Sequence, residues 1–357
     1  MERRSVVVTV NRTTPVTGME GVPLDASALP FDPALPGLAL LCRPAELTAT
    51  LSRALAPWLG PDTHLRDSRA SLRRLAPGKR CSVELELDIG GNNGLPAGRR
   101  RVLGKFYGED QGATVYQTLG ELRRHGLGAG RFAVPEPLAW EPAHRLLLVT
   151  WAEGESLSAV VLARPDASPE IEGAAEWLLA LHQCGVGTGR RYSFLGHLHT
   201  LAGWKELLAA VYPAGERLLE DLLGRFEERG RELSGWAPGP THRDFSPEHL
   251  VVRGNQFTGL DFDEFCQYDP LFDVAHFVAR LRFHGLTEAG ALTRFDGLAQ
   301  RFLARYEAGG GECSEERLRL YTAIAYFKLG RFVALVQRPQ AWMRILPELL
   351  NEARRLV

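Results

Sequence analysis

The hydrophobic pattern of this chain of 357 residues changes once, near residue 151. Before that point apolar side chains alternate with polar ones, which is typical of half-buried β-strands. Beyond it they recur at helical spacing, and the only further strand pattern is a short island over 249–262. The sequence therefore predicts an α+β protein of two lobes, a small β-rich N-lobe and a larger, mostly helical C-lobe, with a ligand cleft between them.

Shorter features divide the first part of the chain. Residues 11–45 are rich in proline and glycine and predict an extended arm with little regular structure. Residues 45–59 have the pattern of one amphipathic helix, and 72–87 predict a hairpin that turns at Pro77-Gly78. We therefore predict three segments: an arm with a short helix over 1–60, an N-lobe over 61–151, and a helical C-lobe over 152–357.

Composition argues against several classes of function. The 42 basic and 43 acidic side chains leave a formal net charge of −1, whereas a general nucleic-acid binder carries a basic excess. No apolar run reaches the length of a membrane span, and the one at the start is too short for a signal peptide. The five cysteines form no CxxC pair, which argues against a disulfide framework or a zinc site. We expect a cytoplasmic protein without nucleic-acid or membrane partners, and the sequence does not indicate its oligomeric state.

Two carboxylates flank a predicted strand–turn–strand unit in the C-terminal third. Asp244 follows His242-Arg243, and Asp261 follows Leu260 at the end of the second strand. Phosphoryl transfer needs such a pair: one carboxylate orients a hydroxyl and accepts its proton, and the other holds the metal that bridges the phosphates. The pattern therefore favours phosphoryl transfer over a loop aspartate that merely caps a helix.

These motifs, taken with a third, resemble a known family. The third is similar to a Gly-Asp-Pro…Asp-Leu-Ala motif, with tyrosine in place of the glycine, and reads Tyr268-Asp269-Pro270-Leu271-Phe272-Asp273-Val274-Ala275. Over about 73–279 the chain resembles the aminoglycoside phosphotransferase and choline kinase branch of the protein-kinase-like fold. The resemblance implies an ATP-dependent phosphotransferase that moves the γ-phosphate to a hydroxyl of a small molecule: a sugar, amino sugar, aminoglycoside or amino alcohol.

The resemblance also implies roles for individual residues. Asp244 would be the catalytic base, and Asp261 the principal ligand of Mg²⁺, with Mn²⁺ as an alternative. His249 stands where the family has an asparagine that helps to bind metal, and imidazole suits Mg²⁺ poorly. Three interpretations remain: His249 binds a metal through a water, Glu248 supplies the missing oxygen, or the site uses one metal or none. For Asp263 we favour a solvated turn carboxylate over a ligand.

Neighbouring residues are expected to support the site. By the resemblance, His242 braces the loop that carries the metal ligand. Asp273, near a helix start, is expected to cap backbone N–H groups and fix the loop. Arg243 would pair either with phosphate or with a loop carboxylate, and the sequence does not decide between them.

The nucleotide side of the cleft is expected in the N-lobe. A strand is predicted over 100–107 and a helix over 111–125. By the resemblance, Lys105 on the strand holds the nucleotide and pairs with a helix glutamate, for which Glu121 is the best candidate. An ordinary solvated helix glutamate is nearly as good an interpretation of Glu121.

Two backbone segments complete the predicted nucleotide site. The turn at Gly78 replaces a glycine-rich loop, and N–H groups beside it would approach a phosphate. Segment 149–154, which contains Glu153, would read adenine through its backbone.

Two hypotheses from different classes follow. The first is an active small-molecule kinase, indicated by Lys105, Asp244 and Asp261. The second is a non-catalytic pseudokinase that binds nucleotide or a partner, motivated by His249 and by the poor glycine loop. A kinase of protein substrates is disfavoured because Asp269-Pro270 follows Asp261 too closely for a long activation segment. The sequence favours neither a cationic aminoglycoside nor choline over a neutral sugar.

Overall fold

The computed structural model of the protein describes five stretches of the chain: 22–23, 32–91, 97–164, 166–187 and 190–357. The arm predicted over 11–45 lies partly outside them. Within the described part a 3₁₀ helix, Pro36–Cys42, leads directly into the first α-helix, so this end of the predicted arm has regular structure.

The secondary structure changes from strands to helices as predicted. The strands are β1 (Val22–Pro23), β2 (Thr63–Ala76), β3 (Arg80–Gly91), β4 (Gly98–Tyr107), β5 (Phe132–Ala133), β6 (Pro137–Glu141), β7 (Leu146–Thr150), β8 (Glu155–Ser156), β9 (Arg190–Arg191), β10 (Gly239–Thr241), β11 (Leu250–Arg253), β12 (Gln256–Gly259) and β13 (Cys266–Tyr268). The helices are α1 (Pro44–Leu59), α2 (Gln111–Leu122), α3 (Leu157–Ala163), α4 (Ser168–Gln183), α5 (Phe194–Val211), α6 (Glu216–Glu232), α7 (Leu271–Ala289), α8 (Asp296–Ala308), α9 (Glu315–Arg331) and α10 (Trp342–Leu356). None of these helices, within the described residues, combines the length and apolarity that a bilayer crossing requires.

The N-lobe is an antiparallel sheet with the strand order β1-β2-β3-β4-β7-β6. The predicted hairpin is confirmed, since β2 and β3 pair up to Ala76 and Arg80 on either side of the turn. Alternation along β3 buries Val83, Leu85 and Leu87 in one apolar core with leucines of α1. This core belongs to the N-lobe alone, so the sheet is a rigid support for what it presents to the cleft.

The helix after β4 agrees with the prediction. α2 spans Gln111–Leu122, and a π-helical turn, Arg123–Leu127, continues it. The backbone leaves the helical conformation at His125 and Gly126, and Gly126 has φ of 100°, a conformation that glycine adopts without steric cost. The predicted end of the helix at Gly126 is therefore confirmed.

A second and larger core is formed by helices α3 to α10 together with residues of β4, α2 and β7 of the N-lobe. Trp177 of α4 stacks on Phe245 with ring centroids 5.3 Å apart, and Phe245 stacks on Phe277 of α7 at 5.2 Å. Because Phe245 directly follows Asp244 in the chain, these stacked rings anchor the loop that presents the predicted base.

The predicted β island is confirmed as the β11–β12 hairpin. β12 pairs in parallel with β5, and β11 pairs antiparallel with β8. A separate sheet in the order β10-β13-β9 lies beside it. The loop after β10 and the loop after β12, which carry Asp244 and Asp261, lie side by side because a hydrogen bond joins His242 to the carbonyl of Leu260.

Candidate active site

The loop that carries Asp244 is held by a carboxylate from α7. The backbone N–H groups of His242 and Arg243 donate to the two oxygens of Asp273, at 2.6 and 2.7 Å. Arg243 has φ of 64°, a left-handed conformation that costs energy for a residue with a side chain. Asp273 is fully buried and fixes that strained turn, so its predicted capping role is confirmed.

The loop that carries Asp261 is held by His242. The Nε2–H of this buried histidine donates to the carbonyl of Leu260 at 2.8 Å, as its predicted bracing role requires. Asp261 itself has φ of 62°, so the chain turns sharply at the end of β12. One histidine therefore connects the loop of the base to the loop of the second carboxylate.

Two cations of the N-lobe neutralise Asp261 and its neighbour Asp263. The Nζ of Lys105 lies 2.7 Å from Asp261 Oδ1 and 3.1 Å from Asp263 Oδ1. Arg80, at the start of β3, forms an ion pair with Asp263, and its second terminal nitrogen lies 3.5 Å from Asp261 Oδ2. Burial lowers the pKa of Lys105, and the charges of Asp261 and Asp263 outweigh that effect and raise it.

The interpretation of Asp263 as a solvated turn carboxylate was wrong. Its side chain is only 2% exposed, and Tyr107 adds a hydrogen bond to Asp263 Oδ1 at 2.8 Å. Burial would be unfavourable for an isolated carboxylate, but here three N-lobe side chains bind it. Asp263 therefore joins Asp261 as part of the charged centre between the lobes.

His249 lies between the two predicted catalytic carboxylates. Its Nδ1–H donates to the backbone carbonyl of Asp244 at 2.8 Å, and its Nε2 lies 3.7 Å from Asp261 Oδ2. The adjacent Glu248 instead forms an ion pair with Arg280 and lies 3.3 Å from His284 Nε2. Both contacts are made by Oε1, and Oε2 is buried without a hydrogen-bond partner, so the alternative in which Glu248 supplies a metal oxygen stays a prediction.

Asp244 is bound by Lys328, a residue that no sequence motif indicated. The Nζ of Lys328, on α9, lies 2.7 Å from Asp244 Oδ1 and 3.1 Å from the carbonyl of Arg243. The two residues are 84 positions apart, and nothing in the local pattern of α9 marks this lysine among its neighbours. The contact between Lys328 and Asp244 depends on the packing of α9 against the loop that carries Asp244, and local sequence does not show this packing.

The charges around Asp244 keep it ionised. Burial would raise the pKa of the Asp244 carboxyl, but Lys328, His249 and His276 lower it well below its ordinary value. Burial is the main cause that lowers the pKa of His276 to about 3, so at pH 7 this histidine is neutral and Lys328 is the principal charge that keeps the pKa of Asp244 low. A third of the Asp244 side chain, 34%, is exposed. Asp244 is thus an ionised carboxylate with access to a ligand, as a catalytic base must be.

The expected pair of Lys105 with Glu121 is not formed in this structure. Glu121, near the end of α2, instead forms ion pairs with Arg124 and His125 at 2.9 and 3.8 Å. Lys105 binds the two aspartates of the C-lobe. The interpretation of Glu121 as a solvated helix glutamate agrees with this geometry, and its proposed role at the nucleotide has no structural support here.

The other two predicted nucleotide contacts lie at the edges of the cleft. Gly78 occupies the hairpin turn with φ of 71°, and its N–H donates to Asp32 Oδ2 at 2.6 Å. Glu153 follows β7, is half exposed, and binds Arg101 at 2.5 Å. A phosphate at Gly78 would therefore replace the Asp32 carboxylate, and adenine recognition by segment 149–154 stays a prediction.

The carboxylates fit a metal that arrives with a nucleotide. Mg²⁺ is usually held by one or two carboxylates together with substrate phosphates. Asp261 and Asp263 provide two such groups, and His249 Nε2 faces one of them. In the described stretches, however, no cluster of three or more histidine, cysteine, aspartate or glutamate side chains has the geometry of a metal site. A metal at Asp261 and Asp263 would therefore need ligands beyond the side chains of the described residues, such as substrate phosphates.

Part of the chain matches the model of a known protein family. A model of the phosphotransferase enzyme family matches residues 105–321, which is more than half of the 357 residues. The chain belongs to this family. The match begins at Lys105 and includes the loops that carry Asp244 and Asp261, the His249 position and only the first seven residues of α9, so Lys328 lies beyond it. A comparison with curated proteins finds no match.

Solved structures of phosphotransferases share the fold. A spectinomycin phosphotransferase in complex with ADP and spectinomycin has a TM-score of 0.60 at 9% identity, over 88% of this chain and 98% of that one. An aminoglycoside phosphotransferase in a ternary complex with AMP-PNP and hygromycin B has a TM-score of 0.57 at 15% identity, over 87% and 97%. A choline/ethanolamine kinase family protein from Mesorhizobium loti has a TM-score of 0.56 at 16% identity, over 87% and 94%. The predicted two-lobed protein-kinase-like fold is confirmed.

Proposed function

We propose that this phosphotransferase-family protein is an ATP-dependent small-molecule kinase in which Asp244 is the catalytic base. The observation that carries the proposal is the placement of an ionised, partly exposed Asp244 beside Asp261, with His249 between them. Membership of the phosphotransferase enzyme family supports the reaction class. Fold neighbours crystallised with ADP or AMP-PNP support a nucleotide donor. A cytoplasmic location, where ATP is available, is part of the same proposal.

The N-lobe supplies the nucleotide side. Lys105 and Arg80 now bind Asp261 and Asp263. The phosphates of ATP carry more negative charge than these carboxylates, so we propose that both cations turn to the phosphates when ATP binds. The N–H of Gly78 would exchange Asp32 for a phosphate oxygen in the same way. Glu153 lies on the segment that would hold adenine.

The C-lobe supplies the acceptor side. Asp244 orients the acceptor hydroxyl and accepts its proton while the new bond forms between the hydroxyl oxygen and the γ-phosphorus. The bond from that phosphorus to the β–γ bridging oxygen breaks, and ADP leaves with the electron pair. Lys328, beside Asp244, keeps the carboxylate ionised and faces the charge that develops on the transferred group. The products are a phosphomonoester and ADP.

Asp261 would hold Mg²⁺, or Mn²⁺, whose charge neutralises the phosphates during transfer. Asp263 lies beside it, and both carboxylates become available once Lys105 and Arg80 release them. His249 Nε2 is 3.7 Å from Asp261 Oδ2, so a water between them would reach the same ion. This is the single-metal interpretation of the departure at His249.

A second candidate function is a non-catalytic nucleotide binder. The observation that favours it is that Arg80 and Lys105 form ion pairs with Asp261 and Asp263. These carboxylates are therefore neutralised by protein side chains without a metal ion. In that case Asp244→Asn has no effect on any basal ATP hydrolysis, and no acceptor stimulates ATP use.

The test is ATP consumption with sugars, amino sugars, aminoglycosides and amino alcohols, in Mg²⁺ and then in Mn²⁺. We expect at least one acceptor to stimulate ADP release, and Asp244→Asn to abolish the stimulation. Thermal-shift titration with ATP separates the two candidates, because a nucleotide binder without turnover is still stabilised by ATP. Absence of stimulation together with stabilisation by ATP would favour the non-catalytic function.

A further inference from the structure

Two arginines, Arg243 beside Asp244 in the chain and Arg331 one helical turn beyond Lys328, lack acidic partners among the described residues. Buried or half-buried charges in proteins are normally paired, since removing an unpaired charge from water is unfavourable. Lys328 has a partner in Asp244. Among the described residues, however, neither Arg243 nor Arg331 forms an ion pair or a side-chain hydrogen bond, and the Nε atom of each is buried without a partner.

Arg331 lies one helical turn beyond Lys328 on α9. Residues three apart on a helix are neighbours, so their side chains leave the same face. The guanidinium of Arg331 lies over the ring of Trp204 of α5, 4.8 Å from its centroid. Burial lowers the pKa of Arg331, and no nearby carboxylate raises it again. Trp204 therefore positions the guanidinium of Arg331, which has no acidic partner among the described residues.

Arg243 precedes the base directly and is only 8% exposed. Its guanidinium lies 3.6 Å from the centroid of Tyr192, with Tyr268 and Phe272 at 5.7 and 5.8 Å. These aromatic faces attract the cation but do not neutralise it. No carboxylate of the described residues pairs with Arg243, so the loop carboxylate considered from the sequence is not its partner here.

We infer that the acceptor is an anionic hydroxyl compound, whose carboxylate or phosphate group binds Arg331 and Lys328, with Arg243 adding charge, while its hydroxyl reaches Asp244. This inference rests on the proposed function, because it names the acceptor of the same site. An anion would supply the missing partner for each unpaired guanidinium, and guanidinium groups match carboxylate and phosphate oxygens in geometry.

The charge distribution also disfavours a cationic acceptor. The acidic run of α6, Glu216, Glu220 and Asp221, is exposed on the helix surface, and Glu220 and Asp221 form ion pairs with Lys205 and Arg225. The charged side chain in direct contact with Asp244 is a cation, Lys328. An aminoglycoside would meet like charges there, and like charges repel most strongly where solvent is excluded.

The test compares four acceptors with one ring: glucose, glucosamine, glucuronate and glucose 6-phosphate. With saturating ATP and Mg²⁺ we expect the anionic acceptors to exceed glucose in kcat/KM by about tenfold or more, with glucosamine lowest. Glucuronate and glucose 6-phosphate distinguish a carboxylate from a phosphate. Preference for glucose or glucosamine would overturn the inference.

Variants then locate the anion. Arg331→Met should lower kcat/KM for the anionic acceptors about tenfold, mainly through KM, and leave glucose unchanged. Arg331→Lys should recover most of the loss. The control is Arg294→Met, because Arg294 also lies over an aromatic ring, Phe295 at 5.9 Å, but on an exposed surface. An equal loss for glucose and glucuronate in Arg331→Met would contradict the inference.

A binding experiment separates this inference from the proposed function. If no acceptor is phosphorylated, the kinase proposal fails, and calorimetry with inorganic phosphate still decides the anion site. Binding at the inferred site is lost in Arg331→Met and kept in Lys105→Met, whereas binding at the nucleotide side shows the reverse. Absence of phosphate binding, or equal binding to wild type and Arg331→Met, would overturn the inference.

Discussion

The two carboxylate centres of the cleft are neutralised in different ways. Asp261 and Asp263 belong to the C-lobe but are bound by Lys105 and Arg80 of the N-lobe. Asp244 is bound by Lys328 of its own lobe. The first set of ion pairs therefore depends on how the lobes meet, and the second lies within the C-lobe.

This difference separates what a ligand can rearrange from what is fixed. The larger core includes residues of β4, α2 and β7 as well as the C-lobe helices, so apolar packing holds the lobes together while the ion pairs of Lys105 and Arg80 are exchanged for phosphate contacts. Asp244 pairs with Lys328 from a loop that Asp273, His276 and stacked aromatic rings hold in place. The comparison predicts that N-lobe substitutions act on nucleotide affinity, and C-lobe substitutions on the chemical step and its pH dependence.

The largest effect is expected at the base. Asp244→Asn removes the proton acceptor, so kcat should fall by about 10²–10⁴-fold while ATP affinity changes little. Turnover and ATP binding are measured separately, by ADP release and by calorimetry. Asp221→Asn on the exposed face of α6 is the matched control and should retain full activity. A kcat within a few-fold of wild type would show that Asp244 is not the base.

On the N-lobe side, Lys105→Met should weaken ATP binding about ten- to a hundredfold, as expected for the loss of a charged hydrogen bond. The control is Arg99→Met, because Arg99 is an exposed cation of the same strand, β4, and has no part in the proposed nucleotide site. Calorimetry measures the Kd of ATP for both variants. Equal Kd values in both variants would mean that Lys105 is confined to its ion pairs with the C-lobe.

Lys328→Met should change the pH dependence of catalysis. It removes a charge that lowers the pKa of Asp244, so burial raises that pKa and the acid limb of the kcat/KM profile moves to higher pH. We also expect kcat at pH 7 to fall about tenfold. Lys205→Met serves as control, since Lys205 binds Glu206 on the helix surface. An unchanged acid limb would contradict the assignment of Lys328.

The same pKa predicts a stability effect in wild type. The pKa of Asp244 is lowered in the folded state, so this carboxylate stabilises the fold at pH values above the ordinary carboxyl pKa. That contribution is lost as the pH falls through the folded value. Acid unfolding of Lys328→Met should therefore begin at higher pH than that of wild type, as followed by circular dichroism.

The smallest effect is expected at His249. His249→Asn replaces an imidazole by an amide oxygen donor, which suits Mg²⁺ better, so Mg²⁺-dependent activity should be kept or rise within about threefold. The backbone of Asp244 loses one hydrogen bond, from His249 Nδ1. Complete loss of activity in a folded variant would give His249 a role beyond that of a neighbour to the metal.

Local patterns predicted the fold and the position of both loops. The alternation of β3 and β4 and the motifs at Asp244 and Asp261 carry short-range information, and the structure agrees with them. Lys328, Arg331 and Asp263 could not be interpreted in this way. Their surroundings come from chain segments far apart in sequence, and a lysine on a helix or an aspartate in a turn has the same local pattern whether it is solvated or buried. The same reason explains why the sequence indicated Glu121 rather than Asp263 as the partner of Lys105. The local pattern does not distinguish between these two carboxylates.

The central claim is phosphoryl transfer at Asp244, and detection of the product by ³¹P NMR tests it most directly. Wild-type protein with ATP, Mg²⁺ and the four related acceptors should yield a phosphomonoester signal with at least one of them. Under the same conditions Asp244→Asn should yield about a hundredth of that product or less. A phosphomonoester formed equally by wild type and Asp244→Asn, or inorganic phosphate as the only product, would contradict the account.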